Sequence, residues 1–354
     1  MSESVPYLEK KRPWEKDRPR CRLAESLPLK TPFSIQIDPS NLCNFRCLFC
    51  PTGHPDLLRR VGRTKGQLMS WGLYEKLISE LAAFPQPLKT LSLHKDGEPL
   101  LNPRIAEMVS LARKRNVAEK IVILTNASLL TREMSIALIK AGLDVIRISV
   151  EHVSVAGYRK FTQVYDDYDK IVQNARILRE ERDRLQSRLF ISAKLIDFGL
   201  SGDELGIFAR DFSPSCDESG RTVAQGWSHS EIFDFTLGSN PIVSLDGQTP
   251  LSPKRIACPF PFYMMAVNAN GLVSPCPDDW THKAVIGDAN SETLREIWNG
   301  PRLRELRLMH MAGKRGRNAA CANCHCIQGI PDDSDLDDDR ERLLPLFSDD
   351  GSNQ

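Results

Sequence analysis

The sequence predicts an α/β fold: a partial, TIM-like (β/α)6 barrel followed by a small cysteine-rich domain. Three observations carry this expectation. From about residue 31 to 240, short β-type apolar runs alternate with amphipathic helical patterns. Five or six such units fit into that stretch, too few for the eight of a closed barrel. Behind them, cysteines gather between Cys258 and Cys326.

The elements follow in order. Phe33-Ser34-Ile35-Gln36-Ile37 alternates apolar and polar residues, as a strand does. Ser70 can cap a helix with Leu73, Leu77 and Leu81 on one face. Leu88 to Leu93 reads as the second strand, and Pro103 opens a helix carrying Ile105, Met108 and Leu111. Ile121 to Leu124 is a buried-type third strand. Thr131 caps the next helix and Gly142 ends it. Val145 to Val150 is the fourth strand, Tyr168 to about Gln186 a long helix, and Leu189 to Leu195 the fifth strand. Ile232 to Leu237 is the candidate sixth. In parallel α/β folds chemistry gathers at the carboxyl ends of strands. The loop around Cys43, the Asp96-Gly97-Glu98-Pro99 turn, Thr125-Asn126 and Ser149 to Glu151 all follow strands, so they can converge on one rim.

Five segments result: a polar arm over 1–30, the barrel over 31–240, a Pro- and Gly-containing linker over 241–257, the cysteine-rich domain over 258–330, and an acidic tail over 331–354 read as solvated.

Composition narrows the class. With 354 residues the chain can bury a sizeable core, and 41% apolar with 26% charged residues is ordinary for a soluble globular protein. The net charge of +1 and the lack of a basic patch with interleaved aromatics speak against a nucleic-acid partner. The short basic arm from Lys10 to Arg22 does not reverse that. No run of 18 apolar residues occurs, so no membrane partner is expected. The first twenty residues lack the apolar core of a secretory signal, which places the protein in the cytoplasm. There, ten cysteines read as metal or cluster ligands rather than a disulfide framework.

Three cysteines, Cys43, Cys47 and Cys50, stand in one loop as C-x3-C-x2-C. Three thiolates can hold three irons of a [4Fe–4S] cluster and leave the fourth open to a ligand, which a four-cysteine electron-transfer site cannot do. The alternative is a zinc site completed by His54. A second set comprises Cys258, Cys276, Cys321, Cys324 and Cys326. Four of them, taken as Cys258, Cys276, Cys321 and Cys324, suffice for one auxiliary [4Fe–4S] cluster, with a zinc ribbon as the alternative. Cys326 is left as a replacement ligand, a free thiol or part of a partial second cluster.

The cysteine loop, with Phe49 just before its last thiol and the Gly97-Glu98-Pro99 turn after the second strand, resembles the radical SAM superfamily over roughly residues 33 to 240, although Asp96 stands where the family carries Gly. The region from Cys258 onward is similar to the family's C-terminal auxiliary-cluster module, called SPASM in its full form and Twitch in its short form. The resemblance implies that the open iron chelates S-adenosylmethionine, that Glu98 bonds its ammonium, that Gly97 admits a close backbone approach, and that Phe49 packs on adenine. Thr125, Asn126 and Ser149 occupy positions like those that contact the cofactor in relatives. Reductive cleavage then yields a 5′-deoxyadenosyl radical that takes hydrogen from a C–H bond, with electrons from a flavodoxin- or ferredoxin-type donor.

The short module resembles that of members acting on sugars, aminocyclitols and nucleoside sugars. A polar small-molecule substrate is therefore expected, oxidised or epimerised at a carbinol carbon. The alternatives are a peptide- or protein-modifying enzyme and decarboxylation of a sugar acid. An epimerase needs a hydrogen-atom donor, for which Cys216 and Cys326 are candidates, each against the plainer reading of an inert buried thiol. A dehydrogenase needs a base, for which Lys194 and His229 are candidates, against surface charge and an ordinary hydrogen-bonded histidine. Trp227 can stack on a sugar or sit in the core. Asp278 and Asp279 either face substrate or close a turn.

Overall fold

The computed structural model describes residues 5–7, 21–63, 66–245, 247 and 249–348. In chain order its elements are α1 (Leu23–Ser26), β1 (Ser34–Ile37), α2 (Pro55–Arg60), α3 (Trp71–Leu81), β2 (Leu88–Leu93), α4 (Ile105–Lys114), β3 (Ala118–Thr125), α5 (Arg132–Ala141), β4 (Val145–Val150), α6 (Val155–Thr162), α7 (Tyr168–Arg184), β5 (Phe190–Asp197), α8 (Gly202–Phe212) and β6 (Glu218–Val223). The C-terminal unit adds α9 (Phe260–Tyr263), β7 (Met264–Val267), β8 (Leu272–Ser274), β9 (Gly287–Asp288), α10 (Leu294–Asn299), α11 (Pro301–Met311), α12 (Ala319–Ala322) and α13 (Arg340–Ser348).

One sheet runs in the order β6-β5-β4-β3-β2-β1-β7-β8-β9. Strands β1 to β6 are all parallel. Helices follow each of the first five strands, as the crossovers between parallel strands require. This is the partial barrel the sequence predicts. Burial of β-branched and leucine side chains such as Ile35, Leu91, Ile123, Ile148 and Ile191 fills the layer between strands and helices.

Local chemistry sets the helix starts. The Ser70 hydroxyl accepts from Leu73 N, and that of Thr131 from Met134 N, as helix caps do. Gly142 takes φ +84° to end α5, a left-handed turn in which glycine has no Cβ penalty.

Two expectations are corrected, the sixth strand and the solvated tail. The sixth strand is Glu218–Val223, not Ile232 to Leu237. The true strand pairs with β5 in register from Ser192–Glu218 to Asp197–Val223, and its polar edge sequence gave no apolar run. Residues 232–237 turn instead, because the Asp234 carboxylate captures the amides of Thr236 and Gly238 and the Thr236 hydroxyl.

The acidic tail is folded as far as Ser348. Leu336, Leu343 and Phe347 are buried with Leu23, Ala24, Leu27 and Phe262, and the Asp337 carboxylate accepts from the amides of Ile256 and Ala257. The last six residues and most of the basic arm, 8–20, lie outside the described residues.

The arm is anchored at two points where it is described. Leu29 O accepts from Trp298 Nε1 at 2.9 Å, and Pro6 O accepts from Arg221 N at 3.0 Å along the β6 edge.

Beyond residues 241–257 the same sheet continues. Strand β7 pairs in parallel with β1, from Ser34–Met264 to Ile37–Val267, so the C-terminal unit extends the barrel wall. Among the described residues no helix is long and apolar enough to cross a membrane.

Candidate active site

A cavity of about 440 Å³ opens at the carboxyl ends of the parallel strands. Cys43, Cys47 and Cys50 line it, with Phe49, Gly97, Glu98, Thr125, Asn126, Ser149 and Lys194. The structure thus brings together the sequence-predicted residues of the first site.

Backbone contacts hold the cysteine loop. Arg46 N and Leu48 N donate to Thr162 O and Phe161 O, each at 2.9 Å, so the end of α6 carries the loop. Phe45 N points at Cys43 Sγ, 3.4 Å away. Burial first, and the other thiols and carboxylates second, push the thiols of Cys43 and Cys47 up. Thiols so desolvated ionise when a metal takes the charge. His54 does not line the cavity with the three thiols; its ring packs on Phe233, 4.5 Å between centres, and its Nε2 is 2.7 Å from Leu48 O. Among the described residues no three His, Cys, Asp or Glu side chains gather around a single ion. Ligands of a four-iron cluster sit on separate irons, so the trio fits the cluster better than zinc.

The turn after β2 is tied to that loop. Glu98 N donates to Leu42 O at 2.8 Å. A Cβ at Gly97 would lie 2.2 Å from Ser40 O and 2.3 Å from Leu42 O, so only glycine fits there. Glu98 is buried, and three donors fix its carboxylate: Leu100 N at 3.0 Å, Thr125 Oγ1 at 2.6 Å and Asn126 N at 2.8 Å. A carboxylate accepts about four hydrogen bonds, so room for one more remains. Burial raises its pKa to about 7 against those three bonds. Thr125 therefore orients Glu98. The Asn126 side chain donates to Asn44 Oδ1 at 3.0 Å and bridges β3 to the cysteine loop.

On the other wall, Lys194 stands in register with Ser149. Burial, then Arg147, lowers the pKa of Lys194. Glu151 lines the same wall. Its Oε2 is buried with no hydrogen-bond partner, and burial raises its pKa to about 6. Sequence reasoning placed Glu151 on the rim but gave it no role; the signal was a carboxylate directly after a parallel strand. Phe49 packs 5.3 Å from Phe198 and 6.5 Å from Phe161, ring centre to ring centre.

Two expected candidates lie elsewhere. Cys216 is buried in the main core just before β6, at the amino end of the strands, with its thiol pushed up to about 12 by burial and then by Asp217. It does not line the cavity, because helix α8 returns the chain to the bottom of the sheet. His229 is buried away from the cavity, its Nδ1 2.9 Å from Glu231 Oε1 and its ring edge-on to Trp280. Trp227 and Cys326 do line the cavity, and Cys326 Sγ is 3.2 Å from Gly226 O.

A second cavity is lined by Cys258, Cys276, Cys321 and Cys324. Burial and then neighbouring charges push up the thiols of Cys258, Cys276 and Cys321. Four mutually close thiols fit one more cluster. Cys276 and Cys324 face this second cavity, whereas Pro277, Asp278 and Cys326 face the first. Two short segments thus form the partition. Asp279 closes a turn, accepting from Ser274 Oγ, Thr281 Oγ1 and the amides of Lys283 and Ala284.

A trio of thiols above a parallel partial barrel, backed by a four-thiol chamber, marks an iron–sulfur enzyme. The chain carries a radical SAM superfamily domain, whose model matches residues 37–191, and the SPASM iron-sulfur cluster-binding domain over residues 258–325. The first implies a [4Fe–4S] cluster and S-adenosylmethionine, and the second auxiliary iron–sulfur clusters. The chain is similar to the S-adenosyl-L-methionine-dependent 2-deoxy-scyllo-inosamine dehydrogenase of Niallia circulans, at 22% identity over 83% of this chain and 92% of that protein. It also resembles the PqqA peptide cyclase of Gluconobacter oxydans, at 28% identity over 76% of each. In fold it resembles the crystal structure of BtrN in complex with AdoMet and 2-DOIA, with a TM-score of 0.50 at 20% identity over 82% of this chain and 92% of that one.

Proposed function

We propose that this enzyme oxidises a carbinol carbon of a polar small molecule, in the class of sugars, aminocyclitols and nucleoside sugars. The observation that carries this reading is the partition: the four-thiol chamber lies one residue behind Asp278 and Cys326 on the substrate wall. An electron acceptor there suits net oxidation. Similarity to an aminocyclitol dehydrogenase along 83% of the chain supports the same choice.

When bound, the cofactors supply a 5′-deoxyadenosyl radical that takes a hydrogen atom and an acceptor for the electron left behind. The chain's residues do the rest. Cys43, Cys47 and Cys50 would hold the first cluster, and Cys258, Cys276, Cys321 and Cys324 the second. Glu98, locked by Thr125 and Asn126 N, offers its remaining lone pair to the methionine ammonium, a charge-assisted bond. Gly97 lets backbone reach the cofactor, Phe49 packs on its adenine, and Ser149 contacts its polar part. Glu151 Oε2, unpartnered and with its pKa raised to about 6 by burial, accepts the hydroxyl proton in its ionised form. Lys194, whose charge opposes the upward shift of Glu151, favours the ionised carboxylate that can take that proton. Cys326 stands on the wall as the hydrogen donor an epimerase would need. A flavodoxin- or ferredoxin-type protein would deliver the priming electron.

The second reading is peptide modification, favoured by the similarity to a peptide cyclase. Anaerobic protein supplied with carbon-deuterated polyols, aminocyclitols and nucleotide sugars decides between them. Deuterium appearing in 5′-deoxyadenosine, with a ketone as product, supports oxidation. Deuterium transfer from labelled peptides alone overturns it.

A further inference from the structure

The chamber of four thiols contains two buried N–H donors with nothing to donate to. His310, at the end of α11, is fully buried and lines the chamber. Its Nδ1 accepts from Cys258 N at 3.1 Å. An acceptor at Nδ1 puts the ring proton on Nε2, and Nε2 has no hydrogen-bond partner. Arg315 lines the same chamber. It donates from Nη1 to Cys321 O, and its buried Nε also lacks a partner. Buried N–H groups without acceptors cost free energy and rarely persist. Two such donors facing one chamber therefore point to an acceptor that occupies it. The chamber's other lining is mostly apolar or already bonded: Phe260, Pro261, Ala284, Ala320 and Ile327 offer no free acceptor side chain.

We propose that His310 Nε2–H and Arg315 Nε–H donate to sulfur atoms of the auxiliary cluster and raise its reduction potential. The inference rests on the reading that the four thiols hold a [4Fe–4S] cluster. The reduced cluster carries one more negative charge, so N–H donors and a guanidinium beside its sulfurs stabilise that state over the oxidised one. One electron enters and no bond breaks. His310 and Arg315 are positioning residues: neither touches substrate, and both make the chamber a better electron acceptor. This is what an oxidation needs and what a purely structural cluster does not.

The test uses full-length chain with Cys43→Ala, Cys47→Ala and Cys50→Ala, so that only the auxiliary site can be loaded. After anaerobic reconstitution with iron and sulfide, the reduced signal is titrated against potential by EPR. In the His310→Phe variant the reduced-to-oxidised ratio at fixed potential is expected to fall about tenfold, which is 59 mV for one electron. His310→Gln keeps an acceptor for Cys258 N and a donor toward the chamber, and is expected to recover most of that loss. Arg315→Met is expected to fall in the same direction. An unchanged midpoint in His310→Phe, with about four irons bound per chain, overturns the inference. Absence of iron from the parent overturns the four-thiol reading itself. Should His310→Phe not take up iron, nitrogen hyperfine coupling to ¹⁵N-labelled histidine in the reduced parent decides: coupling supports the inference and its absence overturns it.

Discussion

His282 Nε2 lies 2.8 Å from Asp96 Oδ2, across the seam between the parallel core and the C-terminal unit. Arg63 Nη2 reaches the same oxygen at 2.7 Å, Lys95 Nζ reaches Oδ1 at 2.7 Å, and Arg63 Nη1 donates to Trp280 O at 2.7 Å. Burial alone would raise the Asp96 pKa, but Lys95, Arg63 and His282 hold it well below the usual carboxylate range. The position where the family carries Gly here fastens the auxiliary unit to the turn that presents Glu98. Asp96→Ala leaves buried Lys95 and Arg63 without their counter-ion and is expected to cost about 3–5 kcal/mol. Urea denaturation measures it; a loss below about 1 kcal/mol would mean the cluster of charges is not coupled to folding.

Asp38 gives a pH signature. It is fully buried, neither carboxylate oxygen has a partner, and burial followed by the Asp96 charge raises its pKa from 3.8 to about 7. Lys95 and Arg63 act in the opposite direction. Between those two pH values the native state binds a proton the unfolded chain has released, so this group's contribution to stability falls as pH rises through the window and levels off above it. Asp38→Asn removes the slope. The variant is expected to gain on wild type between pH 4 and 8 by on the order of 1–4 kcal/mol. Parallel stability curves for the two proteins would contradict this.

Iron counting separates the two thiol sites. Wild type is expected to bind about eight irons and Cys43→Ala about four, with no 5′-deoxyadenosine formed by the variant under dithionite. Wild-type cleavage in Cys43→Ala would remove the loop from the mechanism.

Gly97→Ala tests the close approach of the turn to the cysteine loop. The added methyl would meet two carbonyl oxygens, so Glu98 must shift. Binding of S-adenosylmethionine to the loaded enzyme is expected to weaken at least tenfold, about 1.4 kcal/mol. Gly72→Ala, with nothing within 4 Å of its new methyl, is the control and should bind normally.

The folded tail is tested by Leu343→Ala. Its side chain is fully buried, so truncation should cost about 2–5 kcal/mol. A change within about 0.5 kcal/mol would return the segment to the solvated state its composition suggests.

Much of this was legible in the sequence where period and punctuation agree. Leu88–Leu93 and Val145–Val150 are legible to the residue, because Leu91 and Leu93, and Ile146, Ile148 and Val150, alternate with polar residues at the strand period. Thr131 and Gly142 bracketed α5 through cap chemistry alone. The cysteine groups stood out by spacing. What escaped was set by tertiary partners. Glu218–Val223 is a strand because β5 offers it a ladder, not because its residues favour one. Helix α8 carried a Ser201–Glu204 capping box that went unread. In the site, Glu151 and His310 owe their significance to a missing partner, and Cys216 lost its candidacy to position. Neither a lacking contact nor the end of the sheet a loop returns to is written in local sequence.

The ladder between β1 and β7 makes the chain indivisible. Cutting after residue 240 would bare one edge of the strand that bears Ile35 and Ile37 and directly precedes the first thiol loop. Such an edge invites another chain to add itself, as in fibrils. A lineage discarding the rear chamber would first need another flank for β1, so the two metal sites are tied by carpentry before they are tied by electrons.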